Sequence, residues 1–371
     1  MSSLPALRIA HIDTGVGLRG GQRQLLALAR GLRGRGHEQV IVCLEGSALE
    51  QAVQQEGFRT FSLPSYDPWH AFGVLLWRQQ INDWRPQIIH AHDGRGQSLA
   101  WAASVGLPVV RVASRRVTFF PSDRWTYRLK YGLTCHGVVA VSENIRDLSV
   151  QAGVPSERIH VIPDGIDLPT ELPSAQMRSR LRSSWGLNEN HFVVGLMGAS
   201  TPEKGHDLAL AAFALLKENL PQARLVVAGD ESPSKVSPAT DGSGSDGSGV
   251  LRLGPISDLV EFFPGLDLFI MPSKAEGLGS SALWAMAYGL PVVATRVGGL
   301  PEIVVENETG WLVPPGSVQS LADAILHSSR DSRKLLEFGR KGRTRAEGFS
   351  TAIMVSRTEA LYYRLLKAER P

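Results

Sequence analysis

The chain has 371 residues, of which 43% are hydrophobic and 20% are charged. This length exceeds what one hydrophobic core usually supports and predicts two domains, while the composition excludes a fibrous or disordered class. The 39 basic and 36 acidic residues give a net charge of +3, too small to indicate nucleic acid as a partner.

The cysteines and the lengths of the apolar runs indicate the cellular compartment of the protein. Cys43 and Cys135 form neither a disulfide framework nor the Cys/His spacing of a metal site. The first residues lack a secretory signal pattern, and no apolar run reaches the roughly 18 residues needed to span a bilayer. We therefore expect a cytoplasmic protein with at most a peripheral contact on the membrane.

Short runs of β-branched residues alternate with amphipathic segments, which is typical of βα units around parallel sheets. Ser47, with Glu50 three residues later, predicts one helix start. In the first half the pattern predicts one doubly wound sheet, with strands near Leu7–Ile12, Gln39–Cys43, Thr60–Leu63, Gln87–His90, Val109–Ala113, Gly137–Val141 and Ile159–Ile162.

A turn-rich segment, Pro163–Pro169, predicts the linker to a second domain. The predicted domains are residues 1–168 and 169–349, followed by a final helix within 350–371. Residues 232–249 are rich in Gly and Ser, which predicts a disordered surface loop. Strands of the second domain are expected near Phe192–Met197, Arg224–Ala228, Val250–Leu253, Leu266–Met271, Pro291–Ala294 and Trp311–Val313.

A glycine-rich loop follows the first predicted strand. Its Gly15, Gly17 and Gly20 satisfy the G-x-G-x-x-G pattern of dinucleotide binding, and Glu45 could supply the acid that binds the ribose. Glycines there let the backbone approach a phosphate at a helix N-terminus. Because a tight strand-to-helix turn also meets this pattern, an NAD(P)-dependent oxidoreductase is kept as an alternative.

A second group of motifs lies between Ser273 and Gly310 and includes SKAEGLG at 273–279 and AMAYGLPVVAT at 285–295. A strand here runs into an acidic glycine loop that opens a helix. The loop amides can bind anionic or hydroxyl groups, while Glu276 can accept hydrogen bonds from sugar hydroxyls.

These motifs resemble those of family 4 of the retaining glycosyltransferases (glycosyl transferases group 1), and the resemblance spans nearly the whole chain. It includes the His90–Asp93 strand end, the Ile162–Asp167 run and the Gly198–Gly205 segment. It implies an α/β protein of the GT-B fold: two facing Rossmann-like doubly wound domains with an interdomain cleft, the last helix crossing back to the first domain. It also implies a metal-independent hexosyltransferase that uses a nucleotide-diphosphate sugar and no cofactor.

The resemblance assigns the donor site residue by residue. Lys204 matches the lysine that pairs with the donor diphosphate, where a fixed cation compensates the leaving dianion. Glu276 matches the first acid of the family's Glu-x7-Glu motif and would hold the transferred sugar. The other donor-binding positions that it implies are Gly20, Gly21, Gly198, Gly254, Gly277, Leu278, Gly279 and Trp284.

Two positions depart from the family pattern. Trp284 stands in place of the second acid, which usually binds the ribose hydroxyls, and an indole cannot accept hydrogen bonds from two hydroxyls. Ala199 stands where many members have an arginine. Both departures favour a further alternative, a catalytically degraded GT-B protein that serves binding or scaffolding.

The acceptor side is predicted from the first half of the chain. His92 and Asp93 are expected to orient the acceptor, which places them with Lys204 and Glu276 among the catalytic candidates. Arg111–Lys130 has six Arg or Lys against one Asp, interleaved with aromatic residues, which suits an anionic amphipathic acceptor or membrane face.

Within that segment, Arg115 and Arg116 are the candidates for binding an acceptor phosphate. The prediction is therefore retaining transfer of a sugar to a cell-envelope acceptor: a lipopolysaccharide, a lipid-linked glycan or an exopolysaccharide. The partners would be a nucleotide-sugar donor and a glycan or glycolipid acceptor, with no nucleic acid. A sugar-nucleotide epimerase of the same two-domain fold accounts less well for the Lys204 and Glu276 loops.

Overall fold

The computed structural model describes residues 5–64, 71–118, 124–229, 249–256 and 258–369. The chain divides into two compact units, Met1–Gly165 with Thr351–Pro371 and Ile166–Ser350, close to the predicted boundary at residue 168. Apart from Gly249, the predicted disordered loop lies outside the described residues. Within the described ranges, no helix is long and apolar enough to cross a bilayer.

The first unit is built on a seven-stranded parallel sheet whose order is β3-β2-β1-β4-β5-β6-β7. Its strands are β1 (Arg8–Ile12), β2 (Glu38–Leu44), β3 (Arg59–Leu63), β4 (Ile88–Ala91), β5 (Val110–Arg115), β6 (Gly137–Ala140) and β7 (Ile159–Val161). The helices are α1 (Gly20–Gly34), α2 (Ala48–Gln55), α3 (Ala71–Trp84), α4 (Gly94–Ser104), α5 (Arg124–Tyr127) and α6 (Glu143–Gln151), with a π-helical segment at Arg128–Leu133 after α5.

These elements follow from the sequence pattern. Residues of β4 and β6 are buried throughout, as expected for parallel strands covered on both faces. Ser47 caps α2 by accepting a hydrogen bond from the Glu50 amide, which confirms the predicted helix start. All seven predicted strands of the first half are present.

The second unit contains a six-stranded parallel sheet in the order β10-β9-β8-β11-β12-β13. Its strands are β8 (Phe192–Met197), β9 (Ala223–Ala228), β10 (Val250–Gly254), β11 (Leu268–Met271), β12 (Val292–Thr295) and β13 (Gly310–Val313). Its helices are α7 (Ala175–Ser184), α8 (His206–Leu216), α9 (Ser280–Ala287), α10 (Leu300–Ile303), α11 (Val318–Ser329) and α12 (Ser332–Glu347).

The last helix, α13 (Thr351–Ala368), belongs to the first unit although it follows the second in the chain. Its Val355, Leu361 and Tyr362 are buried in a core shared with β1, β4, β5 and α1. Gly31 of α1 allows the close approach, since a Cβ there would lie 2.4 Å from a methyl of Val355.

A buried ion-pair network ties α7 to the sheet of the second unit. The Asp267 carboxylate accepts hydrogen bonds from Arg182 Nη2 at 2.6 Å and from the Val193 amide at 2.7 Å, and it also pairs with Arg178. The Arg182 side chain is 1% exposed. Removing the carboxylate would leave a buried guanidinium without its counter-ion.

We expect Asp267→Ala to lower the free energy of unfolding of the second unit by about 3–5 kcal/mol, because an uncompensated buried charge remains. Denaturant unfolding followed by circular dichroism measures the change. Glu189→Ala is the matched control, since Glu189 is exposed and lies 3.6 Å from the same arginines. Equal losses in the two variants would contradict the assignment of this network as a structural anchor.

Candidate functional site

Both sheets have the strand order that places binding loops at the switch point of a doubly wound fold. In the second unit, the order in which successive strands are added reverses between the neighbouring parallel strands β8 and β11. Carboxyl ends of parallel strands share one edge, so the loops after β8 and β11 meet although they are far apart in sequence. Lys204 follows β8, and Glu276 follows β11.

The two predicted charged residues form an ion pair at this edge. Lys204 Nζ lies 2.6 Å from Glu276 Oε2, with the lysine side chain 30% and the glutamate side chain 12% exposed. Ser273 Oγ lies 3.4 Å from the same carboxylate oxygen. The geometry presents a fixed ammonium beside an acceptor carboxylate, partly open to solvent.

Two glycines allow this pairing by bringing backbones into contact. Gly205 has φ +68°, and a Cβ there would lie 2.0 Å from the Pro272 carbonyl oxygen. Gly298 has φ +53°, and a Cβ there would lie 1.7 Å from the Glu276 carbonyl oxygen. Any larger residue would push the loops apart, so the glycines position Lys204 and Glu276 without touching a ligand.

The other predicted donor positions of the second unit lie at the same edge. Gly198 directly follows β8, and carbons of the Lys204 side chain lie 3.6–3.9 Å from where a Cβ of residue 198 would be. Gly254 ends β10, which two strands, β9 and β8, separate from β11 in the sheet. Gly277, Leu278 and Gly279 lead into α9, whose first amides have no acceptor within the helix.

Burial distinguishes roles within that loop. Leu278 is 3% exposed, so its side chain packs and only its backbone can serve a ligand. Trp284 lies one turn into α9 and is half-buried.

The structure also adds two residues that the sequence reasoning missed, Ser273 and His206. The Nε2 of His206 is buried with no partner among the described residues. Ser273 stands three residues before Glu276, a spacing that could have indicated it.

In the first unit, the switch point lies between β1 and β4. The loop after β1 leads to Gly20 and Gly21, the first residues of α1, and a Cβ at either would meet nothing within 4 Å. No neighbouring atom therefore covers the side-chain face of either glycine. Asp13 stabilises the loop: its Oδ1 accepts hydrogen bonds from the Gly15 amide and from Gln22 Nε2, each at 2.8 Å.

Asp93 has a structural task that the sequence prediction did not include. It caps α4, accepting from the amides of Arg95 and Gly96, and it also accepts from the amide and hydroxyl of Thr14. Four hydrogen bonds occupy its oxygens and join the loops after β1 and β4. This arrangement favours a positioning role for Asp93 over direct contact with an acceptor.

Both arginines predicted to bind an acceptor phosphate contact other side chains of the protein. Arg116 Nε lies 2.9 Å from Asp164 Oδ1, so its charge is compensated. Arg115 is 8% exposed, and its guanidinium lies 5.3 Å from the ring centroids of Tyr127 and Tyr131. An incoming phosphate would have to compete with these contacts.

His92 belongs to a buried cluster with His11 and His90. His11 Nδ1 lies 3.0 Å from His92 Nε2, and the His90 ring stacks on that of His92 at 4.2 Å. Burial is the main cause that lowers the pKa of His92 and His90 well below the ordinary value and lowers the pKa of His11 to about 4. All three imidazoles are therefore neutral at pH 7.

Ring nitrogens of these three histidines lie within 4.8 Å of one another, a grouping that raises the question of a metal ion. Both nitrogens of His90 have partners, Tyr362 Oη at 2.6 Å and Ser114 Oγ at 2.8 Å. Its ring and that of His92 are near parallel, at 29°, so their in-plane lone pairs do not converge on one ion. The cluster fits a hydrogen-bond network better than a metal centre.

The neutral histidines predict loss of stability in acid. Because their native pKa lies below that of the unfolded chain, the unfolded state binds more protons, and stability falls as the pH drops below about 6.5. Each contributes roughly 1.4 kcal/mol per pH unit until its native pKa is reached.

Denaturant unfolding between pH 7 and pH 5 measures this slope, which we expect to be smaller in His92→Gln. His327→Gln is the control, because His327 is exposed. A slope unchanged in His92→Gln would contradict the assignment.

Comparisons with known proteins agree with the geometry. The family model "Glycosyltransferase Family 4" matches residues 18–169, and "Glycosyl transferases group 1" matches residues 177–345. The D-inositol 3-phosphate glycosyltransferase of Segniliparus rotundus is 30% identical over 317 residues, 80% of this chain and 70% of that protein.

A second relative is the GDP-mannose-dependent alpha-(1-6)-phosphatidylinositol monomannoside mannosyltransferase of Mycolicibacterium smegmatis. It is 29% identical over 259 residues, 67% of this chain, and the match spans 63% of that protein's length.

Among solved structures, Anabaena HepE in complex with UDP-glucose superposes with a TM-score of 0.82 at 22% identity, covering 96% of this chain and 99% of that one. This likeness shows the GT-B fold, and the sequence matches decide against the oxidoreductase alternative. The chain therefore belongs to family 4 of the glycosyltransferases and is a glycosyltransferase of the GT-B fold.

Proposed function

We propose that the protein transfers a hexose from a nucleoside-diphosphate sugar, with retention of configuration, to a hydroxyl of a cell-envelope acceptor. The observation behind this proposal is the Lys204–Glu276 pair at the switch point of the second unit. The likeness to HepE, described in complex with UDP-glucose, supports a nucleotide-sugar donor.

Each member of the pair has a distinct task in the proposed reaction. Lys204 compensates the charge that develops on the departing diphosphate, which a fixed cation can do without a metal. Glu276 accepts hydrogen bonds from the sugar hydroxyls and orients the ring. The helix start at Gly279 presents backbone amides to the phosphates.

In the proposed step, the acceptor oxygen bonds to the anomeric carbon from the face that the phosphate leaves. The bond from that carbon to the phosphate oxygen breaks, and the acceptor proton passes to the departing oxygen. The protein then mainly positions the reactants and stabilises charge. Both curated relatives are named for inositol-phosphate compounds, which supports a hydroxyl-rich, phosphorylated acceptor.

A surface of the first unit supports a lipid-linked acceptor. Trp125, Leu129 and Leu133 are 64%, 38% and 61% exposed and recur every four residues along α5 and the π-helical segment. We name these three residues the apolar stripe. Arg128, which lies between Trp125 and Leu129 in the sequence, is exposed and basic. Aromatic and aliphatic groups flanked by cations suit the interface of an anionic bilayer.

Ligand-induced thermal stabilisation tests the identity of the donor. We expect one nucleotide sugar from a panel of UDP-, GDP-, ADP- and dTDP-sugars to raise the thermal stability by mass action, while NAD and NADP do not. Lys204→Ala should weaken its binding about 10- to 100-fold, since a charge-assisted hydrogen bond contributes about 1.5–3 kcal/mol.

Glu276→Gln should weaken binding of the nucleotide sugar more than binding of the free nucleoside diphosphate, because the amide replaces one of the two acceptor oxygens available to the sugar hydroxyls by a donor. Lys274→Ala is the control, since Lys274 lies on the same loop but pairs with exposed Asp207. No shift with any sugar nucleotide would favour the degraded binding protein, and a shift with NAD alone would contradict the proposed donor.

A separate prediction tests the membrane contact. We expect phosphatidylglycerol-containing vesicles to bind the protein, neutral phosphatidylcholine vesicles to bind it less, and salt to weaken the binding. Co-sedimentation with the vesicles measures the bound fraction. Replacing Trp125 or Leu129 by Ser should lower the vesicle partition coefficient, roughly tenfold for the tryptophan. Leu336→Ser is the control, since Leu336 is 76% exposed in the second unit. Equal losses in the control and the stripe variants would contradict the proposed surface.

A further inference from the structure

The histidine cluster of the first unit contains a hydrogen-bond chain that starts at Gln39 and ends at His92. Gln39 and His11 lie on the neighbouring strands β2 and β1, and His92 follows β4. His11 Nε2 lies 3.1 Å from Gln39 Oε1, and His11 Nδ1 lies 3.0 Å from His92 Nε2. The orientation of the Gln39 amide determines which atom donates in each of these hydrogen bonds.

The Gln39 amide has a defined orientation. Its Nε2 donates to the Ala29 carbonyl at 2.9 Å, and the opposite orientation would set two oxygens against each other. Gln39 Oε1 therefore faces His11 Nε2 and can only accept, so His11 Nε2 bears the proton.

A neutral imidazole has one N–H. With its proton on Nε2, His11 has a bare Nδ1, which accepts the hydrogen bond from His92. His92 Nε2 is then the protonated nitrogen, and His92 Nδ1 has a free lone pair. Burial is the main cause that lowers the pKa of His92, and the charges of His90, His11 and Arg116 lower that pKa further.

That lone pair is buried and has no partner among the described residues, and the same holds for Arg116 Nη1. A buried polar atom without a partner costs about 1–3 kcal/mol, so an acceptor left without a donor calls for a ligand group. A hydroxyl can donate to an imidazole nitrogen, whereas a phosphate dianion can only accept.

We propose that Gln39 and His11 are positioning residues that hold His92 in the Nε2–H tautomer, so that His92 Nδ1 accepts a hydrogen bond from a substrate hydroxyl. This inference rests on the proposed function for taking that hydroxyl to belong to a sugar or polyol substrate. A bare imidazole nitrogen selects a hydroxyl, which can donate, over a phosphate dianion, which cannot.

The tautomer is tested on the full chain with labelled histidine, by long-range 1H–15N correlation spectra at pH 7.5. His92→Gln and His11→Asn assign the signals. The proposal requires both rings to be neutral with the proton on Nε2. A His92 ring protonated on Nδ1, or on both nitrogens, overturns it.

The role of Gln39 is tested with Gln39→Leu, which removes the acceptor and should let the Nδ1–H tautomer of His92 appear. Gln54→Leu, at an exposed glutamine, is the control and should leave the spectrum unchanged. If Gln39→Leu folds and the His92 tautomer is unaltered, Gln39 is not a positioning residue. The wild-type spectrum remains decisive if that variant does not fold.

The ligand class is tested by titrating myo-inositol, glycerol and inorganic phosphate and following the His92 Nδ1 signal. A saturable shift with a polyol, absent in Gln39→Leu, supports the proposal. A shift with phosphate alone, or with none of the three, overturns the hydroxyl site. Thermal stabilisation by a sugar nucleotide is measured on the same sample and reports the donor site in the other unit, so failure of this inference is distinguishable from failure of the proposed function.

Discussion

The adjacency of parallel strands at the two switch points is the constraint on which the candidate site depends. Pairing of β8 with β11 brings Lys204 and Glu276 within 2.6 Å, and pairing of β1 with β4 brings Thr14 to Asp93. In both units a side chain joins the loops that leave the adjacent strands. The chemistry of the site is therefore a consequence of strand order before it is a consequence of any single residue.

Charge compensation is the second common feature of the two units. Lys204 is paired with Glu276, and Arg116 is paired with Asp164, each pair partly shielded from water. A paired cation is held in place at little cost, but an anion must compete with the carboxylate for it. In the proposed reaction this competition is acceptable at Lys204, since negative charge would grow there as the phosphate leaves. At Arg116 an anion would have to compete with Asp164.

The sequence predicted the parts of the site that depend on local pattern. The strands, the glycine loops and the positions of Lys204 and Glu276 follow from periodicity and from the family motifs. The sequence did not predict that Asp93 caps α4, although Asp before Gly at a strand end is a capping signal. Nor could it predict the chain from Gln39 to His92, because its members are 28 and 81 residues apart and meet only through strand pairing.

The composition of the basic aromatic segment, Arg111–Lys130, does not determine which of its aromatic side chains are exposed. Its richness in cations and aromatics was apparent from the sequence, but which rings face solvent depends on the phase of a short helix. Trp125 is 64% exposed, whereas Tyr127, two residues later, is 2% exposed and lies against Arg115. The same segment thus divides its aromatics between a packing role and a surface role. In the proposed membrane contact, Trp125, Leu129 and Leu133 would enter the bilayer interface, which also accommodates the cation between them in sequence.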